Sequence, residues 1–175
     1  MTIKTIFLDR DGVINKEINY LHKIEDFEFI DGLFDTCQYV KSLNYKIIIT
    51  TNQSWISRGY YTEIDFQKVT DWMLVQFNRK NIDILDVIHC PHLPSDCCDC
   101  RKPKPGMLLK AKTKHNIDMK KSWMIGDKEN DIKAANNAGI TNTILVKSGH
   151  SIDEFNSNAK FLLDSIKDIH QAIKF

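Results

Sequence analysis

Two aspartates at the end of the first apolar segment have the types and spacing most suggestive of chemistry. Thr2 to Leu8 is apolar and β-branched, which predicts a buried strand, and Asp9 and Asp11 follow it before Gly12. A period of two places both carboxylates on the same side of an extended backbone. A divalent cation and a phosphoryl group would use both, since one carboxylate can attack phosphorus while the other carries the leaving-group proton. Taken alone, the motif is equally compatible with an Asp-Gly turn after a solvated aspartate.

A second set of residues has the donors of a metal site. The pattern C-x-H…C-x-C is formed by Cys90, His92, Cys98 and Cys100. In a reducing compartment such clustering favours metal over disulfides, and three sulfurs with one imidazole can close a tetrahedral Zn²⁺ site. With no open position the predicted role is structural, fixing Arg101 and Lys102, which follow directly. Cys97 is an alternative ligand to Cys98, and buried thiols beside a surface histidine are the alternative to a metal site.

Composition bounds the class of protein. The chain has 175 residues, 42% of them hydrophobic, which predicts one domain over residues 1–175. Its net charge of +1 produces no long-range electrostatic field that would attract nucleic acid or an anionic membrane. No run of 18 apolar residues predicts a membrane span. Met1–Lys4 leads directly into the first strand and leaves no room for a signal peptide, so we expect a cytoplasmic protein.

Alternating strands and helices must position these residues. Predicted strands cover Thr2–Leu8, Tyr45–Thr50, Ile84–Ile88, Ser122–Ile125 and Thr141–Val146, with short strands at Phe27–Ile30 and Phe161–Leu163. Predicted helices run from Gly32 to about Leu43, from Thr62, over Met107–Lys114 and Asp131–Ala138, and in the tail. The alternation predicts an α/β fold, a Rossmann-like open parallel sheet with helices on both faces. Ligands bind beyond the carboxyl ends of such strands, so Asp9, Thr51, the cysteine loop and Asp127 are expected to converge.

Four ordered motifs resemble a known family. They are Asp9-Arg10-Asp11-Gly12, Thr51-Asn52-Gln53-Ser54, Arg101-Lys102-Pro103 and Gly126-Asp127-Lys128. In order and context they resemble those of the haloacid-dehalogenase-like phosphatases, and within these the heptose-1,7-bisphosphate 7-phosphatases, over roughly residues 3–147. The short zinc loop, with five residues between His92 and Cys98, resembles instead the related histidinol-phosphate phosphatase domain.

The resemblance implies a role for each motif residue. Asp9 is the implied nucleophile and Asp11 the general acid and base; Thr51 and Lys102 complete the catalytic set. The implied Mg²⁺ ligands are Asp9, the backbone carbonyl of Asp11, and Asp127. Substrate contacts are implied for Glu17, Ile18, Asn19, Tyr20, Thr51, Asn52, Gln53, Ser54, Arg101, Lys102 and Lys128. The other histidines, including His150, lack a partner pattern and are expected in surface or packing roles.

The resemblance therefore implies a Mg²⁺-dependent, Zn²⁺-stabilised phosphatase that removes the 7-phosphate of a heptose bisphosphate through an aspartyl phosphate. In that family the step feeds nucleotide-activated heptose synthesis for lipopolysaccharide or other surface glycans. Histidinol-phosphate hydrolysis and a non-catalytic zinc-stapled binding module are the alternatives, and the preferred anomer is left open.

Two departures qualify this picture. Trp55 stands where the family usually has glycine, and no large insert follows the first or third strand, so no cap domain is expected. We expect a monomer, although Trp55 and Ile56 would mark a contact surface if both were exposed.

Overall fold

A computed structural model describes residues 1–174 and contains one six-stranded sheet in the order β3-β2-β1-β4-β5-β6. All neighbouring strands are parallel. The strands are β1 (Thr5–Leu8), β2 (Lys46–Asn52), β3 (Ile84–Cys90), β4 (Trp123–Gly126), β5 (Asn142–Val146) and β6 (Phe161–Leu163).

Four α-helices among residues 1–174 cover both faces of the sheet. They are α1 (Leu33–Ser42), α2 (Glu63–Arg79), α3 (Gly106–His115) and α4 (Glu129–Asn137). Because successive side chains on a strand point to opposite faces, the sheet builds two separate cores. One packs α1 and α2 against Ile6, Leu8, Ile47 and Ile49, and the other packs α3 and α4 against Phe7, Ile48 and Met124. The predicted doubly covered parallel sheet is confirmed.

The strand order places the crevice of the sheet at β1. The chain runs from β1 outward to β3, then returns to the other side of β1 with β4. Leu8 is level with Ile49 of β2 and Ile125 of β4, so the residues that follow these three strand positions lie side by side. Open parallel sheets bind ligands at this kind of reversal.

Two local expectations differ from the structure. Phe27–Ile30 forms no strand; Phe29 makes one isolated bridge to Asn15, after a 3-10 turn at Ile24–Asp26. The rings of Phe27 and Phe29 pack against Trp72, and this packing, rather than strand hydrogen bonds, fixes the position of the stretch. The tail helix is a short 3-10 helix, Ile166–Gln171.

Between β1 and α1, and again between β3 and α3, the one helical element is a short 3-10 turn, so no cap domain is inserted there within residues 1–174. None of the helices in residues 1–174 has both the length and the apolar character that crossing a bilayer requires.

Candidate active site

Lys102 joins two carboxylates at the end of β1. Its Nζ lies 2.9 Å from Asp9 Oδ1 and 2.6 Å from Asp131 Oδ1, and it also donates to the carbonyl of Thr50 at 2.8 Å. Burial lowers the pKa of Lys102, but the carboxylates of Asp131 and Asp9 outweigh this and raise it above its ordinary value. The lysine is therefore a fixed positive charge in a site that is almost closed to water.

Asn52 fixes the backbone of that lysine. Its Nδ2 donates to the carbonyl of Lys102 at 3.1 Å, while its Oδ1 accepts from the Lys102 backbone N–H at 3.0 Å. The two bonds attach the end of β2 to the loop after β3. The Asn52 side chain thus positions Lys102.

Asp11 is surrounded by donors. Its carboxylate accepts from Arg10 Nε at 3.1 Å and Arg10 Nη2 at 2.9 Å, from Asn15 Nδ2 at 3.0 Å, and from Gln53 Nε2 at 2.9 Å. Burial raises the pKa of Asp11, but the Arg10 guanidinium and these hydrogen bonds outweigh it and hold the pKa below its usual value. Asp11 is therefore ionised in the resting site.

Gln53 links Asp11 to Thr51. Its Nε2 also donates to Thr51 Oγ1 at 2.8 Å, and its Oε1 accepts from the Tyr61 hydroxyl. Because Thr51 Oγ1 accepts this bond, its own proton is free to donate into the cleft. Gln53, Thr51 and Tyr61 are all buried, so the network has one arrangement.

Asp127 lies under two glycines. It is fully buried, and a Cβ at Gly12 or Gly149 would come within 2.2 or 2.0 Å of its Oδ2. Gly12 has φ +87°, a second reason why glycine follows Asp11. Burial and the carboxylates of Asp9 and Asp131 raise the pKa of Asp127 to about 9. The site therefore concentrates negative charge that the protein alone does not neutralise.

The donor set fits Mg²⁺. Carboxylate oxygens of Asp9, Asp127 and Asp131 lie within 4.8 Å of one another, and Asp127 Oδ1 is buried without a hydrogen-bond partner. A hard cation with oxygen ligands would satisfy that orphaned oxygen and offset the crowded charge. The structure thus brings together four residues that the sequence motifs predicted for the site, namely Asp9, Asp11, Lys102 and Asp127.

Two residues lie beside the predicted site that the sequence motifs did not place there. Asp131 was not assigned a role, yet it accepts from Lys102; the spacing Asp127-x-x-x-Asp131 was the available signal, because the first turn of α4 returns position 131 to the strand end. His150, expected in a surface or packing role, instead contacts Asp127 Oδ2 through Nδ1. Its loop reaches the site through the close approach of Gly149 to Gly12, for which the sequence has no local pattern.

The four side chains predicted to bind zinc lie together in one cluster. Cys100 Sγ lies 3.1 Å from Cys90 Sγ, 3.5 Å from Cys98 Sγ and 3.2 Å from His92 Nδ1. The four donor atoms lie close enough together for one tetrahedral Zn²⁺ to contact all of them. Cys97 is exposed and outside the cluster, with a left-handed backbone that turns it away from its neighbours.

A cleft of about 340 Å³ opens above Asp9 and Asp11. The residues proposed for substrate that line it are Glu17, Ile18, Asn19, Thr51, Asn52, Gln53, Ser54, Arg101, Lys102 and Lys128. Burial and Asp11 raise the pKa of Glu17 to about 7, against the opposing Lys128 ammonium 3.9 Å away. Tyr20 is outside this lining and packs on Trp55, which does line the cleft. Trp55 and Ile56 are both half-buried, so they do not form an exposed apolar pair.

Comparison with known proteins agrees with this geometry. The Hydrolase_like family model, described as HAD-hydrolase-like, matches residues 99–169. In Photorhabdus laumondii, the D-glycero-alpha-D-manno-heptose-1,7-bisphosphate 7-phosphatase is 51% identical over 164 residues, 90% of each chain. A Campylobacter jejuni protein of the same name is 50% identical over 96% of this chain and 98% of its own. In Escherichia coli K12, the beta-named 7-phosphatase is 41% identical over 99% and 95%.

A solved structure shares the fold. D,D-heptose 1,7-bisphosphate phosphatase from B. bronchiseptica, complexed with magnesium and phosphate, superposes with a TM-score of 0.85 over 97% of both chains at 24% identity. With the relatives above, these matches confirm the resemblance that the ordered motifs indicated. The chain belongs to the D-glycero-D-manno-heptose-1,7-bisphosphate 7-phosphatase family of haloacid-dehalogenase-like hydrolases.

Proposed function

We propose that this chain hydrolyses the 7-phosphate of D-glycero-D-manno-heptose 1,7-bisphosphate, and that it prefers the α-anomer. The observation that carries the reaction is the meeting of Asp9, Lys102 and Asp131 at the switch point of the sheet. The anomer rests on the alpha-named relatives, which are 50–51% identical, whereas the beta-named ones are 41–44% identical. The step supplies heptose 1-phosphate for nucleotide activation in glycan synthesis.

Asp9 is the nucleophile. Its carboxylate attacks phosphorus at C7, the P–O bond to the sugar breaks, and an aspartyl phosphate forms. The Lys102 ammonium and the free Thr51 hydroxyl proton hold the equatorial oxygens, whose negative charge is spread in the loose transition state. Water then attacks the aspartyl phosphate and releases inorganic phosphate.

Asp11 moves the protons. Because its pKa is held low, it is a carboxylate that can take the proton of the attacking water in the second step. In the first step it must give a proton to the leaving oxygen. The resting carboxylate therefore has to take up that proton from solvent as substrate binds, which requires its pairing with Arg10 to loosen. Asp11 thus acts as the general acid in the first step and as the general base in the second.

The metal sites have separate tasks. Asp9, Asp127 and the backbone carbonyl of Asp11 would hold Mg²⁺, which supplies positive charge against the phosphate and the crowded carboxylates. Asp131 keeps Lys102 in place from the far side. Cys90, His92, Cys98 and Cys100 would hold a structural Zn²⁺ that fixes the loop carrying Arg101 and Lys102.

We further propose a cytoplasmic monomer that acts on the small sugar phosphate alone, with no nucleic acid or membrane partner, and with residues 1–175 as one domain. The net charge of +1 supports the absence of polyanionic partners.

Phosphate release tests the function. The wild-type protein with Mg²⁺ should release one phosphate per bisphosphate, and Asp9→Asn should release none. Asp83→Asn is the matched control, because Asp83 is exposed at the opposite end of the strands, just before β3. Turnover by Asp9→Asn would refute the covalent route. A higher kcat/KM on histidinol phosphate would favour the specificity that the short zinc loop suggests, and no turnover of any phosphomonoester would favour a binding module.

A further inference from the structure

We propose that Arg58, held by an aromatic cluster of Tyr20, Trp55 and Tyr60, binds the distal phosphate at the anomeric carbon of the substrate. The proposal rests on the function above and deepens it. It assigns a role to Arg58 and Trp55, which lie outside the four sequence motifs, in a structure whose described residues, 1–174, contain no cap domain to select the substrate.

The aromatic cluster joins two loops. Tyr20 comes from the segment after β1, while Trp55 and Tyr60 come from the segment after β2. Ring centroids are 4.5 Å apart for Tyr20 and Trp55, 4.4 Å for Tyr20 and Tyr60, and 5.2 Å for Trp55 and Tyr60. Each pair has a spacing at which aromatic contacts are favourable. The cluster therefore ties the two loops together at the edge of the cleft.

Backbone hydrogen bonds stiffen the second loop. The N–H of Arg58 donates to the carbonyl of Ser54 at 3.1 Å, and the N–H of Tyr60 donates to that of Trp55 at 3.1 Å. Gly59 completes the turn at φ +79°. Trp55 and Arg58 are thus held in a wound segment whose position is fixed before substrate enters.

Arg58 is a cleft cation without a carboxylate partner. Arg10 pairs with Asp11, Lys102 with Asp9 and Asp131, and Lys128 faces Glu17. Within residues 1–174, the contact that the structure records for the Arg58 side chain is with Trp55, whose ring centroid lies 5.1 Å from Cζ. Arg101 likewise meets a carbonyl, that of His92, rather than a carboxylate. Within residues 1–174, the cleft therefore has two guanidiniums without a recorded carboxylate partner, and both are available to a second anionic group on the substrate.

A bisphosphorylated sugar has that group. With the 7-phosphate at Asp9, the other end of the molecule carries a phosphate dianion, which a planar guanidinium fork binds in a bidentate manner. The Trp55 ring orients Arg58 by a cation–π contact. Where the family usually has glycine, this chain therefore has a side chain that shapes the anomeric end.

The test compares substrates with and without the distal phosphate. For wild type, Arg58→Gln, Trp55→Gly, Trp55→Phe and the exposed control Arg79→Gln, kcat/KM is measured on heptose 1,7-bisphosphate and heptose 7-phosphate. Arg58→Gln should lower the bisphosphate-to-monophosphate ratio about tenfold, mainly through the KM for the bisphosphate. Trp55→Gly should lower it less, Trp55→Phe should restore most of it, and Arg79→Gln should leave it unchanged.

Equal losses of Arg58→Gln on both substrates, or no loss, would overturn the proposal. If wild type fails on the heptose bisphosphate, the proposed function is wrong, and the same ratio is then read with fructose 1,6-bisphosphate and fructose 6-phosphate. On that pair, a ratio that Arg58→Gln does not change would also overturn the Arg58 site.

Discussion

Lys102 and Asp9 are 93 residues apart in sequence, yet Lys102 Nζ lies 2.9 Å from Asp9 Oδ1. Both side chains are nearly closed to water, at 3% and 9% exposure. A buried ion pair depends on its partners, because a charge left alone in such a place has lost its hydration without compensation. The relationship therefore couples the stability of the site to its chemistry.

Replacing Lys102 by methionine should lower both the stability of the protein and its catalytic activity. We expect turnover to fall by more than about 100-fold, and the unfolding free energy without added Mg²⁺ to fall by about 3–5 kcal/mol, because Asp9 and Asp131 are left facing each other. Urea unfolding and steady-state kinetics measure the two effects. Lys104→Met, at an exposed lysine two residues on, is the control. An unchanged unfolding free energy for Lys102→Met would contradict this account, and the double variant with Asp131→Asn should recover part of the loss.

Asp127→Asn should do the opposite to stability. The ordinary pKa of this carboxyl is near 3.8, and the folded site raises it to about 9. Between those values the folded protein keeps a proton that the unfolded chain has released, so metal-free stability falls as pH rises. Asparagine cannot ionise, so it removes the free-energy cost of placing a titratable carboxyl in this buried, negatively charged site. We expect about 0.5–2 kcal/mol more stability at pH 7 without Mg²⁺, with turnover lost.

Urea unfolding from pH 5 to pH 9 checks this. The wild-type protein should lose stability across that range without Mg²⁺, and Asp127→Asn should lose less, with Asp83→Asn following the wild type. If Asp127→Asn were less stable than wild type at pH 7 without Mg²⁺, the Asp127 carboxyl would not destabilise the metal-free fold, contrary to this prediction.

Zinc removal should expose thiols in a fixed sequence. Cys97 is exposed and outside the cluster, so it should react first in the native protein. Chelation should then release Cys90, Cys98 and Cys100 and lower the thermal midpoint. Burial raises the pKa of Cys37 to about 12, so this thiol should react only after unfolding.

Thiol titration at pH 8 with a coloured disulfide reagent counts these steps, and Cys97→Ser removes the first one as a control. Four fast-reacting thiols in the untreated protein would show that the cluster holds no metal.

Tyr61→Phe tests the buried network behind Asp11. The Tyr61 hydroxyl donates to Gln53 Oε1, which fixes the amide so that Nε2 faces Asp11 and Thr51. Its removal leaves a buried acceptor unpaired, and we expect a loss of about 1–3 kcal/mol in unfolding free energy together with a lower kcat. Tyr45→Phe, at the other end of β2, is the control. A stability loss with kcat unchanged would mean that Gln53 keeps its orientation without Tyr61.

Motifs at strand ends could be predicted because a parallel sheet sends every carboxyl end to one edge. Asp9 and Asp127 follow apolar strands, Thr51 lies near the end of another, and the pairing of these strands brings all three together. Asp131 was missed because its role depends on the direction of the first turn of α4. Its Oδ2 accepts from the Lys128 N–H at 3.1 Å while Oδ1 faces Lys102, a division that the sequence does not specify.

Contacts between loops could not be predicted from the sequence for a different reason. His150 meets Asp127, and Tyr20 meets Tyr60, through approaches that depend on tertiary packing and have no periodic signal. The same holds for Phe27–Ile30, whose alternation resembled a strand although aromatic packing holds it as irregular chain. Alternation predicts which side chains are buried more reliably than it predicts a hydrogen-bonded ladder.

The anomer preference should follow from the outer end of the cleft. Because Arg58 and Trp55 are held in a wound loop, the distal phosphate has one place to bind, and the α- and β-anomers direct that phosphate to different sides of the ring. We expect kcat/KM for the α-anomer of the bisphosphate to exceed that for the β-anomer by at least about tenfold, or ~1.4 kcal/mol. Trp55→Gly should narrow the difference, whereas Arg79→Gln should not. Phosphate release from each pure anomer measures it, and a preference for β in the wild-type protein would separate this chain from its alpha-named relatives despite their higher identity.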